Sequence, residues 1–362
     1  MKPSLLDRLV WEEVGESFGF GLGFFTVLFV MVHLFSLVQK VVGEGLAIGT
    51  ALVLLLYKIP YFIWFCIPFG VLLATVLGIS RLGDHNEITA LRVSGASLYR
   101  IAAPVIAGGA LAALGALVFS EGVVSLSDHQ YRVVAADAAS RGPVLRPIEN
   151  IFFQVPIPPH GSVLYHSDSY DPRAQTLNGI TIVHLASGQP VELIVADSGK
   201  HAQGEDWAFH EGYTYLFSQG SVVATKFATL DVRIPRTPQE LSLPPVAPSD
   251  MSLRQLAQQI ASLRLQGADP RAYIGAVHSK IATAVSCIIF ALIAFPLSLR
   301  PHRSGPGTGI GLSISVLVAY YIVWIPAQTV SQGPFLSPVL AAWLPDLLVG
   351  GAGAVLLVRA AR

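Results

Sequence analysis

The sequence predicts an α-helical membrane protein in which six transmembrane helices, three and three, flank an inserted all-β domain. Three observations carry that prediction. Charged residues make up 13% of the 362-residue chain and mean hydropathy is +0.58, about half the charge of an ordinary soluble domain. Six runs, each about as long as a membrane-crossing helix, carry one charge at most. Between the third and fourth run lie roughly 130 polar residues broken into short β-type segments.

The spans can be placed in order. A hydrocarbon core of ~30 Å needs about 20 apolar residues in a helix. Residues 18–38 carry no Asp, Glu, Lys or Arg and one histidine, His33. Residues 59–80 and 101–120 carry no charge either. Hydropathy then falls, and returns at 281–299, 309–330 and 339–358, where Asp346 is the one charge. Asp346 follows Pro345, so it either caps a restarted helix or lines a polar pathway. The first run is too long for a signal peptide and no cleavage pattern follows Val38, so it reads as a retained helix. The apolar stretch 46–56, between Glu44 and Lys58, either extends the second span or lies along the interface.

Orientation follows from the cations of short loops. With the N-terminus cytoplasmic, the inner segments hold Lys2, Arg8, Arg81, Arg92, Arg100, Arg300, Arg303, Arg359 and Arg362, and the short outer ones only Lys40 and Lys58. Both termini are then expected in the cytoplasm and the insert outside it.

Within the insert, residues 151–155, 163–166, 179–185, 191–196, 207–210, 213–217 and 222–234 read as strands separated by Gly, Pro and Asn turns. Seven such runs predict a sandwich, jelly roll or barrel-like sheet. Five prolines in 235–249 predict an extended linker. Ser252 then opens a helix with Leu253, Leu256, Ile260 and Leu263 on one face, closed by Gly267 and Pro270. The organisation expected is 1–122 for three spans with a loop helix at about 84–95, 123–250 for the β domain, 251–272 for a juxtamembrane helix and linker, and 273–362 for three more spans.

Composition excludes some functions. Net charge is zero, which gives no support to nucleic-acid binding. Cys66 and Cys287 each sit in an apolar run and suit neither a disulfide framework nor a metal site. The glycines of 305–311 follow no strand and lack the Gly-Lys-Ser/Thr of a phosphate loop. No nucleotide site and no cofactor is therefore expected, and any energy must come from a partner.

The loop between the second and third spans carries the most local information. Asp84 or Asn86 can cap a helix whose Glu87 lies at the positive end of its dipole. Ile88, Leu91 and Val93 form a short apolar face with Arg92 opposite, and Gly95 ends it as a C′ glycine. Chemistry alone leaves two uses for such an amphipathic helix: an interfacial anchor or a docking peg for a cytoplasmic partner.

The run Leu77-Gly-Ile-Ser-Arg81-Leu-Gly-Asp84-His-Asn-Glu87-Ile-Thr-Ala-Leu91-Arg92-Val-Ser-Gly95-Ala-Ser97 resembles the signature of the LptF/LptG family. Ala276-Val-His-Ser-Lys280, Phe290-Ala-Leu-Ile-Ala-Phe-Pro296, Tyr320-Tyr321, Ala342-Trp343-Leu-Pro345-Asp346 and Ala196-Asp197-Ser198-Gly199, read as a strand end, agree in order and spacing. The resemblance implies a permease subunit of the lipopolysaccharide export ABC transporter of the bacterial inner membrane, with a periplasmic jelly roll. It implies pairing with a paralogous LptF/LptG subunit, a cytoplasmic LptB-like ATPase dimer that binds the ATP, and LptC/LptA-like bridge proteins. It places ATPase coupling on Asp84, Glu87, Leu91, Arg92 and Gly95. For lipopolysaccharide it implies an apolar wall, here Phe29, Phe62 and Phe65 among the phenylalanines of spans one and two, and cations at headgroup level, here His33 and Lys40. The residues themselves leave His33 open as a hydrogen-bonded polar group facing the bundle, and Lys40 as an interfacial anchor.

Overall fold

A computed structural model of the chain describes residues 5–44, 46–141, 148–157, 161–171, 174–186, 189–203, 206–218, 221–235, 247–265, 269–299, 305–331 and 336–362. Helices α1 (Leu5–Glu44) and α2 (Ile48–Asp84) are followed by the short α3 (Glu87–Val93) and by α4 (Leu98–Phe119). A π turn, Ser120–Val124, joins α4 to α5 (Ser125–Arg141). Six strands follow: β1 (Ile148–Ile157), β2 (Gly161–Asp171), β3 (Thr176–Ala186), β4 (Gln189–Gln203), β5 (Asp206–Ser218) and β6 (Ser221–Arg233). After a 3₁₀ turn, Pro248–Asp250, come α6 (Leu253–Leu265), α7 (Arg271–Ser298), α8 (Gly305–Ser331) and α9 (Pro338–Ala361).

Among the described residues, six helical stretches are long and apolar enough to cross a membrane: Asp7–Gly43, Ile48–Asp84, Leu98–Ala135, Arg271–Ser298, Thr308–Ser331 and Pro338–Ala361. They are the expected three and three, on either side of the sheet. Several are longer than the apolar runs that revealed them. The stretch 46–56 belongs largely to α2, which extends the second span. The third span does not stop at Ser120, where the apolar run ends; it passes through the π turn and stays helical to Arg141, so the first strand begins only at Ile148. A helix needs backbone hydrogen bonds more than apolar side chains, so hydropathy marks where it leaves the lipid and not where it ends.

Between spans, packing depends on small residues that let backbones approach. At the crossing of α1 and α2, a Cβ on Gly21 would lie 3.1 Å from the carbonyl oxygen of Gly70. Helix α7 is central and packs on α2, α4 and α9. Its Ala284, Cys287, Phe290, Ala291, Ala294 and Phe295 are fully buried. Asp346 does not restart a helix, because α9 runs unbroken through Pro345. It is buried in the bundle and its Oδ1 accepts the Tyr320 hydroxyl at 3.2 Å.

The sheet is antiparallel, in the order β1-β2-β3-β4-β5-β6. Adjacent strands lie about 4.8 Å apart, so β2 and β5 would be about 14 Å apart in a flat sheet. The rings of Tyr170 on β2 and Trp207 on β5 are nevertheless 6.2 Å apart. The sheet therefore curls, and its concave face closes on Val163, Tyr170, Ile180, Ile182, Trp207 and Phe209. Gly199 allows this, since a Cβ there would meet Phe209 at 2.6 Å. That glycine lies inside the 15-residue β4 and not at a strand end. The runs 207–210 and 213–217 are likewise one strand, β5: Glu211 takes a positive φ of 50° without ending the pairing.

Candidate functional site

Two places gather the functional candidates, one at the β-domain end of the spans and one at the opposite end.

At the β-domain end, α1, α2 and α8 build an aromatic wall. Phe29 meets Phe65 edge-on at 5.2 Å and stacks on Phe69 at 6.0 Å. Tyr321 of α8 lies 6.0 Å from Phe69 and 6.4 Å from Phe65. His33 sits against the ring of Phe62 at 5.3 Å, with Nε2 buried and without a hydrogen-bond partner among the described residues. The structure thus brings Phe29 to Phe65 and His33 to Phe62. Lys40, on the outer part of α1, is exposed.

The main ionic groups here were not visible as a set in the sequence. Lys58 Nζ lies 3.1 Å from Asp128 Oδ1 and 4.3 Å above the ring of Tyr61, with the Tyr131 ring at 5.3 Å. A desolvated ammonium over an aromatic face gains on the order of 1–2 kcal/mol. Ser127 Oγ, next to Asp128, donates to the Tyr57 carbonyl at 2.7 Å. A second pair joins Lys280 Nζ to Glu121 Oε1 at 3.6 Å, and the lysine side chain is only 8% exposed. Both oxygens of Glu121 also accept the N–H of Leu253, at 2.9 and 3.1 Å. That carboxylate satisfies an orphan donor at the start of α6. These acids come from beyond the third apolar run, on the helix that continues past it. Polar groups at this end are therefore more numerous than His33 and Asp346, and their partners lie many residues away in sequence.

At the opposite end, α3 sits between α2 and α4. Neither Asp84 nor Asn86 caps it through its side chain: Asp84 is the last residue of α2, and Asn86 stands at the N-cap in a left-handed conformation, φ 60°, without a side-chain bond. Its end follows the glycine rule. Gly95 has φ 93°, its N–H reaches Arg92 O, and the N–H of Ala96 reaches Leu91 O, each at 3.0 Å. That pair of bonds is a Schellman motif. Ile88 is buried and Leu91 packs on the core, but Val93 is 84% exposed. Five positions on, a helix has turned by about 140°, so Val93 cannot share the face of Ile88. Glu87 holds a buried oxygen, Oε2, with no partner among the described residues. Asp84, Ile88 and Arg92 help line a cavity of about 690 Å³ closed by α1, α2 and the adjoining ends of α7 and α8. Arg100 and Asp7 pair through two contacts, 2.7 and 3.0 Å, and fasten the start of α4 to the start of α1.

The model of the lipopolysaccharide export system permease LptF/LptG matches residues 8–359. The chain belongs to the LptF/LptG family. It is 21% identical over 361 residues to the lipopolysaccharide export system permease protein LptG of Escherichia coli strain K12, covering 96% of both chains. The LptG protein of Escherichia coli O6:H1 matches to the same extent. Six spans around a single β insert are, for this LptF/LptG chain, the architecture of a multi-pass membrane permease. The match runs from the first turn of α1 to the last turn of α9 and takes in both gathered sites apart from Asp7.

Proposed function

We propose that this chain is a permease subunit that takes lipopolysaccharide from the inner membrane and hands it to a periplasmic bridge, driven by a separate cytoplasmic ATPase. One observation supports this most: an aromatic wall from three spans carries basic residues at its β-domain end. Acyl chains need an apolar wall, and headgroup phosphates need cations beside it. Phe29, Phe62 and Phe65 serve as wall. His33, Lys40 and Lys58 serve the headgroup, with Asp128 holding Lys58 neutralised until a phosphate competes for it. The Lys and Arg distribution supports cytoplasmic termini and a periplasmic sheet.

The α3 end receives the ATPase. Its Schellman stop leaves Val93 and Arg92 exposed, and Glu87 supplies a carboxylate beside them for a basic residue across the interface. Asp84, Leu91 and Gly95 shape this peg. A transport subunit of this kind binds no ATP itself; a partner dimer does. A paralogous LptF/LptG subunit completes the cavity. The sheet supports the handover: β6 pairs only with β5 among the described strands and leaves Val222 and Val223 exposed, which suits strand addition by a bridge protein.

The test is photo-crosslinking in proteoliposomes holding lipopolysaccharide and the ATPase. Probes at Phe65 and Lys58 should capture lipopolysaccharide, and ATP should reduce the capture. Glu87→Ala should keep the capture and lose the ATP effect. Equal capture by a probe on the lipid-facing Leu347 of α9 would overturn the cavity assignment.

A further inference from the structure

A second apolar site lies on the other side of the bundle and goes beyond the export reading. Helices α1, α2 and α4 enclose a groove of about 380 Å³ within the membrane-spanning segments. It extends from Val10 to Leu22 on α1 and from Pro104 to Ala116 on α4. Twelve residues of helix rise about 18 Å, close to the ~15 Å depth of one leaflet's hydrocarbon. It begins near the α3 end of these helices, so it belongs to the leaflet farther from the β domain.

The groove is open because side chains are missing from its walls. A Cβ on Gly15, Gly108 or Gly115 would meet nothing within 4 Å. Large residues rise beside it on α4: Leu111 and Leu114 are 56% and 61% exposed. The result is a slot with rims and not a flat small-residue face. Size decides what fits. A helix about 10 Å wide and as long as the slot needs on the order of 1,400 Å³. A hydrocarbon chain about 5 Å wide, set by carbon–carbon contact, needs on the order of 350 Å³. The observed volume matches one hydrocarbon chain lying along the whole slot.

The mouth and the floor add polar features. Trp11, half-exposed, marks the end toward the α3 side, where indole rings favour the headgroup level. The nearby cations Arg8 and Arg100 are balanced by Glu12 and Asp7, so the mouth carries both signs, as a zwitterionic headgroup does. On the floor, Thr75 is fully buried and its hydroxyl has no partner among the described residues. An acyl ester brings the acceptor that this donor lacks.

We infer that the groove between α1 and α4 is a binding site for one acyl chain of a zwitterionic phospholipid. The chain completes the packing of α1 on α4. Lipopolysaccharide is a different ligand, held by the basic groups at the opposite end of the spans.

The test uses the full-length chain with its partner subunits in nanodiscs of phosphatidylethanolamine whose acyl chains carry a diazirine. Labelling is expected to concentrate on residues 10–22 and 104–116. Labelling spread evenly over the lipid-facing helices overturns the site. After delipidation, native mass spectrometry should find phosphatidylethanolamine retained by the wild type and lost from Gly108→Leu, which fills the slot. Gly351→Leu, in open space on α9, should retain it. Thr75→Val should weaken retention several-fold. Retention that survives Gly108→Leu, or retention of lipopolysaccharide in place of phospholipid, rejects the inference. If Gly108→Leu does not fold, the wild-type labelling pattern alone decides.

Discussion

The first two spans, Asp7–Gly43 within α1 and the whole of α2, are both 37 residues long and similarly apolar, yet 78% of the apolar window of α2 is buried inside the bundle and 17% of that of α1. Apolar composition therefore reports that a segment can live in lipid, not whether lipid or protein surrounds it. What separates the two is the distribution of contacts. Leu72, Leu73, Cys66 and Phe69 put α2 at the centre, against α7, α8 and α1. Helix α1 touches that centre along one narrow line, through residues such as Gly21 and Phe25, and leaves Phe20, Met31 and Phe35 outside.

The sharpest way to break this comparison is Phe69→Ala. Phe69 is 4% exposed and meets five rings, those of Phe25, Phe29, Phe65, Phe290 and Tyr321. Its truncation should cost about 3 kcal/mol, read as a lower unfolding midpoint in micelles. A neutral outcome would mean that α2 is not a packed core helix. Next comes the line of contact. Gly21→Ala places a methyl against the Gly70 carbonyl and should cost about 1–2 kcal/mol, whereas Gly19→Ala, in open space on the same helix, should stabilise by about 0.5 kcal/mol through helix propensity. Equal effects at the two glycines would erase the distinction between the faces of α1. The smallest effect belongs to Phe35→Ala. Phe35 is 68% exposed, and the same midpoint should shift by less than about 0.5 kcal/mol. A loss as large as that of Phe69→Ala would show that α1 packs against a partner in the assembly studied.

Much of the fold was legible because it depends on local signals. Runs with one charge at most marked the six spans, Gly95 marked the end of α3, and β-branched runs marked five strands individually and β5 as two pieces. The misses share a cause as well: each depended on what lies across space. Nothing in the sequence near Ser120 says that the helix widens into a π turn and carries on. The runs 207–210 and 213–217 were read as two strands because their partners in β4 and β6 could not be seen. The apolar face of α3 was drawn through Val93 because three apolar residues close together suggest a stripe, although the helical angle excludes it. Of the candidate site, the aromatic residues stand out within the first two apolar runs, and His33 and Lys40 as the polar groups within and just beyond the first. Lys58 with Asp128, and Lys280 with Glu121, were not, because 70 and 159 positions separate the partners.

Glu121 has a mechanical consequence. The chain leaves the bundle for the sheet through the π turn and α5, and returns through α6 into α7. Glu121 stands on the outgoing limb, grips the first N–H of α6 on the incoming limb, and pairs with Lys280 one helix further on. Both limbs are thus pinned at one carboxylate. A sheet hung on two loose tethers could turn without the spans noticing. Pinned in this way, any rotation of the sheet acts as a lever on α4 and α7 together, one helix from each triplet.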